Sequence, residues 1–171
     1  CGEAMAKALN GSGNIIVITT DVIRPARDRS TGFKEVMKNY PGINIVQYQD
    51  AQTCSTEDAL GLMENMLQAH PDITGIFCAD GDRTLGAYVA CQANNRQDVL
   101  IAGYDATPEQ KEIMQQDGAE CNMICATNLH PDNLGKLSTE IAYKILEGEE
   151  VPEITMSDID LMKAEDVAAG K

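Results

Sequence analysis

Short apolar runs that end abruptly at a polar residue recur five times along this chain. The runs read NIIVITT, INIVQYQ, GIFCA, VLIAGY and CNMICA, and the residues that follow them are Asp21, Asp50, Asp80, Asp105 and Thr127. Each run has the length of a strand, and helical spacing follows four of the five, which predicts strand-helix units in one parallel sheet. Because the strands of such a sheet end at one edge, we expect these polar residues to converge there and bind a small polar ligand.

Apolar spacing and turn residues predict the individual elements. The predicted strands are Asn14 to Thr19, Ile43 to Gln49, Gly75 to Ala79, Val99 to Tyr104 and Glu120 to Ala126, followed by strand-like stretches at Glu153 to Met156 and Ile159 to Met162. The predicted helices are Gly2 to Leu9, Pro25 to Tyr40, Ser55 to His70, Arg83 to Asn94, Thr107 to Gln116 and Pro131 to Leu146. Ser55 with Asp58, and Thr107 with Gln110, have the spacing of capping pairs at helix N-termini.

Charge and length restrict the class of protein. Acidic residues outnumber basic ones by 27 to 13, which gives a formal net charge of −14. Nucleic acids and anionic membrane surfaces bind basic surfaces, so neither is an expected partner. No apolar stretch reaches the roughly 18 residues of a membrane span. The 171 residues fit one domain with a sizeable core.

Cysteine and histidine spacing gives no sign of a metal site. The six cysteines form no CxxC pair and no zinc-type spacing with His70 or His130. Cys78, Cys121 and Cys125 fall inside predicted strands, where cysteine behaves as a small hydrophobic residue. We therefore expect no metal, no cofactor and no disulfide framework, and we expect capping or surface roles for the histidines.

Several longer segments resemble one protein family in the order in which they occur. These segments are RPARDRSTGF, MENMLQAHPDITGIFCADGD, LGA, IAGYDATPEQ and KILEGEEVPE, which run from Arg24 to Glu153. Together they resemble the periplasmic sugar-binding proteins of the ribose-binding type, the solute receptors of ABC importers. The resemblance implies a receptor for a sugar or sugar-like polyol, located in the periplasm or outside the cell, with a signal peptide in its precursor or a lipid anchor in a Gram-positive bacterium. The implied partner is a membrane ABC permease.

The resemblance also implies a domain organisation. The family has two flavodoxin-like lobes, each a three-layer α/β sandwich with a parallel central sheet, and the match starts partway through that pattern. Residues 1–126 resemble the C-terminal ligand-binding lobe, 127–156 a helix and strand of the N-terminal lobe, and 157–171 the return to the C-terminal lobe. Because a 16-residue helix is marginal alone in water, we expect it to dock on its own lobe, to swap into a neighbouring copy as a homodimer, or to need the other lobe.

Three charged residues match cleft residues of the family. Arg29 matches an arginine that forks onto sugar hydroxyls, and Asp105 a carboxylate that accepts hydroxyl hydrogen bonds. Asp80 stands where the family has asparagine or aspartate. The alternatives are a surface arginine, a cap or Asx-turn at Asp105 and a plain turn residue at Asp80. Arg83 departs from the family pattern, and we expect it to neutralise Asp80 and Asp82 rather than to bind an anionic ligand.

Other positions weaken an assignment to ribose. Cys54 occupies a position where sugar-binding relatives carry an aromatic residue that stacks on the ring. Ala126 lies where a hinge glutamine is expected, and Thr127 follows it as a candidate contact. Because Phe33 and Phe77 are predicted to be core residues, we expect the lobe to rely on hydrogen bonds alone.

Rival functions find less support in the sequence. There is no GxSxG, P-loop or HExxH motif, so an enzyme is not expected. A response-regulator receiver needs a lysine after the fifth strand, and CNMICATN has none. The open alternatives are the effector-sensing domain of a LacI-type transcription regulator and a receptor coupled to signalling, which use the same lobe.

Overall fold

Six strands and seven helices form the described part of the chain, which in this computed structural model comprises residues 1–51 and 55–170. The strands are β1 (Ser12–Thr19), β2 (Gly42–Asp50), β3 (Gly75–Cys78), β4 (Leu100–Tyr104), β5 (Met123–Asn128) and β6 (Asp160–Lys163). The helices are α1 (Gly2–Ala8), α2 (Arg24–Met37), α3 (Thr56–Ala69), α4 (Gly81–Ala93), α5 (Pro108–Asp117), α6 (Pro131–Leu146) and α7 (Ala164–Ala168).

The strands form one sheet in the order β2-β1-β3-β4-β5-β6. The first five are parallel, and β6 pairs antiparallel with β5 at the edge. Five parallel strands in the order 2-1-3-4-5 are the flavodoxin-like arrangement. The predicted α/β fold with a parallel central sheet is therefore confirmed, with one antiparallel edge strand added.

Helices cover both faces of the sheet and create two apolar cores. Alternate residues of β1 point to opposite faces, as strand geometry requires: Ile15 packs with α1 and α2, whereas Ile16 packs with α3, α4, α5 and α7. Phe33 and Phe77 are buried in the first core with their rings stacked, which confirms that both are core residues. The layers are thus helix, sheet and helix, as predicted.

Three sequence expectations fail near the end of the chain. The fifth strand begins at Met123 rather than Glu120, because Gly118–Glu120 forms a 3-10 turn that starts at a left-handed glycine. Cys121 consequently precedes the strand instead of lying in it. The stretch Glu153 to Met156 has no partner strand and is not a strand, and residues 164–168 form the unpredicted helix α7.

Helix α6 has the predicted bounds but does not pack as a core helix. None of its residues is buried, and Leu146 is 83% exposed. Of the three alternatives for α6, docking on its own lobe is therefore not supported by the described residues. The expected apolar stripe exists, but Leu134 and Ile145 are exposed and Leu137 and Ile141 are only half-buried.

Residues 1–51 and 55–170 contain no membrane-spanning helix and no disulfide. None of the helices in these ranges is long and apolar enough to cross a membrane. The five cysteines that lie in these ranges are all free thiols.

Candidate functional site

The polar residues at the strand ends lie at one edge of the sheet, as predicted. At the β1 and β2 ends, the backbone N–H of Asp21 donates to Asp50 Oδ1 at 2.8 Å. At the β3 and β4 ends, the N–H of Gly81 donates to Asp105 Oδ2 at 2.8 Å. The common strand direction therefore brings the candidate residues to a single rim.

Asp80 begins helix α4 and is held by Arg83. Its Oδ1 accepts the Arg83 N–H at 3.0 Å in an N-cap bond, and its Oδ2 pairs with the Arg83 guanidinium. Arg83 is 1% exposed and also donates to the hydroxyl of Thr20 at the end of β1. Arg83 thus neutralises Asp80 as predicted, whereas Asp82 points to the exposed side of the helix.

Asp105 links the β4 end to the start of α4. Besides the bond from Gly81, its Oδ1 lies 3.7 Å from Arg29 Nη1. Asp105 and Ala106 both have left-handed backbone angles, with φ of 74° and 44°. Thr107 rather than Asp105 caps α5, through a capping box with Gln110. Asp105 therefore does not cap α5, which rules out that alternative, and its carboxylate accepts a hydrogen bond at the α4 N-terminus, whose dipole favours a negative charge.

Arg29 reaches the rim from helix α2 and is fixed there by three contacts. Its guanidinium lies 3.9 Å from the centre of the Tyr104 ring, a cation–π geometry. Its Nη1 donates to the carbonyl of Ala79 at 3.0 Å and approaches Asp105. The side chain stays 20% exposed. The arginine is therefore pre-positioned with part of its surface open to a ligand.

Tyr104 is the site residue that sequence reasoning missed. It ends β4 directly before Asp105 and is half-buried, so an aromatic side chain lies at the rim with the Arg29 guanidinium over its ring. A cavity of about 200 Å³ beside it is lined by Arg29, Phe33, Phe77 and Thr127, among others. Its position in the sequence could have identified Tyr104, because the last residue of a parallel strand borders the edge at which ligands bind.

The remaining positions that the sequence singled out are Thr127, Ala126 and Cys54. Thr127 is the register partner of Tyr104 on β5, is 8% exposed, and lies with its hydroxyl 3.2 Å from Cys1 Sγ. Ala126 is fully buried within β5. Cys54 lies outside the described residues.

A second polar cluster surrounds Tyr48 on the edge strand β2. Its hydroxyl donates to Asp21 Oδ1 at 2.7 Å and lies 3.1 Å from the Ser30 hydroxyl. Burial raises the pKa of Tyr48, and the neighbouring Asp21 charge raises it further. Tyr48 therefore stays protonated and holds Asp21 in place at the β1 end of the rim.

Both histidines lie at helix ends, as expected. His70 follows α3 and hydrogen-bonds Gln47 at 2.8 Å, and His130 precedes α6 with its Nε2 3.0 Å from Asp160 Oδ2. Among the residues that the structure describes, no group of three or more histidine, cysteine or acidic side chains is placed to hold a metal ion.

A family model described as a periplasmic binding protein domain matches residues 1–150. The chain belongs to this family. The match extends across the whole rim and α6, which confirms the resemblance that the sequence segments carried.

Curated relatives give the same result for this periplasmic binding protein domain. It is 33% identical over 126 residues to the ribose import binding protein of Salmonella typhimurium, in an alignment that covers 74% of this chain and 40% of the relative. It is 32% identical over 131 residues to the D-apiose import binding protein of Paraburkholderia graminis, which covers 76% and 40%. The chain therefore spans about 40% of the length of these relatives.

Solved structures match almost the whole domain. An ABC transporter solute binding protein from Actinobacillus succinogenes with bound D-allose has a TM-score of 0.90 at 26% identity, over 98% of this chain and 59% of that chain. One from Bacillus halodurans with bound myo-inositol has a TM-score of 0.88 at 27% identity, over 99% and 57%. These relatives are binding proteins rather than enzymes.

Proposed function

We propose that this chain is the ligand-binding lobe of a solute receptor that delivers a sugar or sugar-like polyol to an ABC transporter. The observation that carries the proposal is the pairing of Arg29 and Asp105 at the rim, 3.7 Å apart and both partly exposed. Sugars present hydroxyls that both donate and accept hydrogen bonds. A guanidinium beside a carboxylate satisfies both capacities of neighbouring hydroxyls.

The charge balance of the rim supports an uncharged ligand. Arg29 lies beside Asp105, and Arg83 is paired with Asp80, so the two central carboxylates each have a cationic partner. A ligand with its own charge would have to disturb one of these pairs. Similar proteins have bound D-allose and myo-inositol, which are uncharged.

The lobe alone is expected to bind weakly. Hydrogen bonds to charged groups contribute about 1.5–3 kcal/mol each, so three such side chains give a gross total of about 5–9 kcal/mol. Association costs about 4–15 kcal/mol. The favourable end of these ranges leaves about 5 kcal/mol, so a dissociation constant in the submillimolar to millimolar range is the expected result.

The proposal is tested by NMR titration of the 15N-labelled chain with D-ribose, D-allose and myo-inositol. Arg29→Ala and Asp105→Ala should each weaken binding at least about tenfold, because each removes a charged hydrogen-bond partner. Arg24→Ala is the matched control: this arginine lies on the same helix, is 83% exposed, and contacts only the surface residue Asp28 among its ion pairs. Unchanged affinity in both rim variants, or no binding by the parent, would refute the proposal.

The segment from 127 to 156, which contains α6, is proposed to belong to a second lobe, with 1–126 as the ligand-binding lobe and 157–171 as the return segment. The support is the exposure of its apolar residues, together with a structural match that covers 98% of this chain but only 59% of the matched solute binding protein. In the two-lobed protein, ligand would bridge the lobes and shift a hinge equilibrium toward closure.

In the alternative arrangement, α6 packs against a second copy of this chain in a swapped homodimer. Sedimentation velocity of the chain distinguishes a swapped homodimer from packing of α6 against a second lobe. A dimer that dissociates when Leu146 is replaced by glutamate supports the swap, and a monomer at all concentrations supports the second lobe.

The remaining parts of the proposal concern partners and location. The partner is a membrane ABC permease and the location is periplasmic or extracellular, with lipid anchoring in a Gram-positive host. Catalysis and nucleic-acid binding are not proposed, since the described residues of the rim include no activated nucleophile and the chain carries a net charge of −14. Crosslinking to the permease in the native organism would test the partner.

A signalling receptor is the second candidate. The fructose binding periplasmic domain of a hybrid two component system has a TM-score of 0.85 at 25% identity, over 99% of this chain. The same lobe therefore occurs in a protein whose name states a signalling context, and the effector domain of a LacI-type regulator remains a related alternative. The neighbouring genes decide: permease and ATPase genes favour transport, whereas a kinase favours signalling.

A further inference from the structure

We propose that Arg83 is a positioning residue of the binding site, one that holds the Asp80 carboxylate at the rim and ties it to the end of β1. The inference rests on the proposed function, because it assigns to Arg83 the orientation of a carboxylate that receives sugar hydroxyls. Arg83 itself is buried below the rim and does not touch the ligand.

The geometry of Arg83 is that of a brace between two strand ends. Its backbone N–H donates to Asp80 Oδ1 at 3.0 Å, and one guanidinium nitrogen pairs with Asp80 Oδ2. The other terminal nitrogen donates to the Thr20 hydroxyl, which is itself 1% exposed. Asp80 follows β3 and Thr20 follows β1, so one side chain joins adjacent strands at their ligand-facing ends.

A guanidinium in this position is unfavourable unless its charge is compensated. Moving a charge from water into a protein interior carries a large desolvation penalty, and a buried pair is stable only with well-made hydrogen bonds. A hydrophobic residue would fill the same space without that penalty. We therefore attribute the presence of an arginine at position 83 to its contacts with the Asp80 carboxylate, not to stabilisation of the core.

Asp80 retains capacity for a ligand after both contacts are made. A carboxylate has about four acceptor positions, and the cap bond and the guanidinium occupy one on each oxygen. The side chain is 17% exposed, so part of it faces the rim. The two contacts restrict its rotamer, and the remaining acceptor capacity belongs to a partly exposed side chain that hydroxyls could approach.

The position of Asp80 also affects the rest of the site. The next residue, Gly81, donates to Asp105, and the Thr84 hydroxyl accepts from the Tyr104 N–H at 3.3 Å. The first turn of α4 therefore contacts the β1 end through Arg83 and the β4 end through Gly81 and Thr84. A displaced Asp80 would shift this turn and, with it, the carboxylate that Arg29 approaches.

The test compares Arg83→Met, Asp80→Asn and the double variant with the parent chain. Binding of D-ribose, D-allose and myo-inositol is followed by NMR, using the amide signals of Gly81 and Asp105, and folding is checked by circular dichroism. Arg83→Met removes the guanidinium that holds the Asp80 carboxylate, and Asp80→Asn removes the carboxylate from beside the guanidinium, so each should weaken binding at least about tenfold. The double variant removes both members of this ion pair, and asparagine is an equally good helix cap.

The expected result is that the double variant binds at least about fivefold more tightly than either single variant, a coupling that independent sites do not show. Arg96→Met is the control, since this arginine pairs with Asp98 away from the strand carboxyl ends, and it should bind as the parent does. If Arg83→Met fails to fold, the comparison of Asp80→Asn with the double variant still tests the coupling between the two residues.

The two proposals fail in different ways. A parent chain that binds none of the three sugars refutes the proposed function and this inference with it. A parent that binds, together with an Arg83→Met variant that binds equally well, refutes the inference alone. A double variant no better than the single variants also refutes it, since the loss would then not arise from the Asp80 pair.

Discussion

Helix α4, which carries Asp80 at its start, packs unusually close to α3, and the contact depends on Gly86. A β-carbon at this position would lie 2.6 Å from Ala59 Cβ, 2.9 Å from the Thr56 carbonyl oxygen and 3.1 Å from the Leu60 nitrogen. Two of these three neighbours are backbone atoms of α3, which cannot rotate away as a side chain can. Gly86→Ala therefore has to push the two helices apart.

The magnitude follows from two opposing contributions. Alanine is preferred to glycine inside a helix by about 1 kcal/mol. Overpacking in a tight contact costs about 1–3 kcal/mol, and the backbone neighbours place Gly86 at the upper end. The expected net loss is about 2 kcal/mol of unfolding free energy. A domain of this size loses about 2–4 °C in Tm per kcal/mol, so Tm should fall by about 4–8 °C.

Gly61→Ala is the matched control because the chemistry is the same and the surroundings differ. Gly61 lies on α3, is exposed, and has nothing within 4 Å of its hypothetical β-carbon. It should gain about 1 kcal/mol from helix propensity alone. Urea unfolding followed by circular dichroism measures both. If Gly86→Ala is as stable as the parent, or shifts in the same direction as Gly61→Ala, the close packing of α3 against α4 is incorrect.

Three further predictions concern the rim and the core. Ala106→Gly should stabilise the chain by about 0.5–1 kcal/mol in urea unfolding, because it relieves a left-handed backbone. Thr107→Ala should cost about 1 kcal/mol by removing the α5 cap, and Thr107→Ser should restore most of it. Burial raises the pKa of Cys91 to about 12 and that of Cys125 to about 11. As pH rises above about 9, the unfolded chain loses thiol protons while the folded chain keeps them, so the unfolding free energy should fall between about pH 9 and pH 11, and should fall less in Cys91→Ala.

Helix starts could be predicted from the sequence where the capping residues lie close together in the chain. Ser55 caps α3 by accepting the Asp58 N–H, and Thr107 forms the predicted capping box. Each depends on residues three positions apart, so each is visible without tertiary structure. The convergence of the strand-end residues was predictable for a related reason, because parallel strand direction alone determines it.

The features that sequence reasoning missed depend on contacts between distant residues. Arg29 and Tyr104 are 75 positions apart, and neither has a pattern that indicates a stacked pair. Strand β6 has only four residues, and its antiparallel pairing is set by β5 rather than by its own composition. A strand this short carries too little periodicity to define its partner.

Helix α6 shows why a correct secondary-structure prediction does not imply a correct packing prediction. The stripe that predicted it is present, yet Leu146 is 83% exposed and no residue of the helix is buried. Exposed apolar patches of this kind mark surfaces that bind another protein surface. The apolar spacing thus predicts a surface that becomes buried, but it does not identify the surface that covers it.

The ion pairs at the rim explain how a strongly acidic chain could bind the uncharged ligand proposed for it. A net charge of −14 would repel anions and attract cations if it were spread evenly over the site. Instead, Arg29 stands beside Asp105 and Arg83 beside Asp80, so the central carboxylates act as hydrogen-bond acceptors with their charges compensated locally. An arginine at each carboxylate fixes its direction as well as its charge. Under the proposed function, selectivity for a polyol would follow from the directions in which these acceptors point.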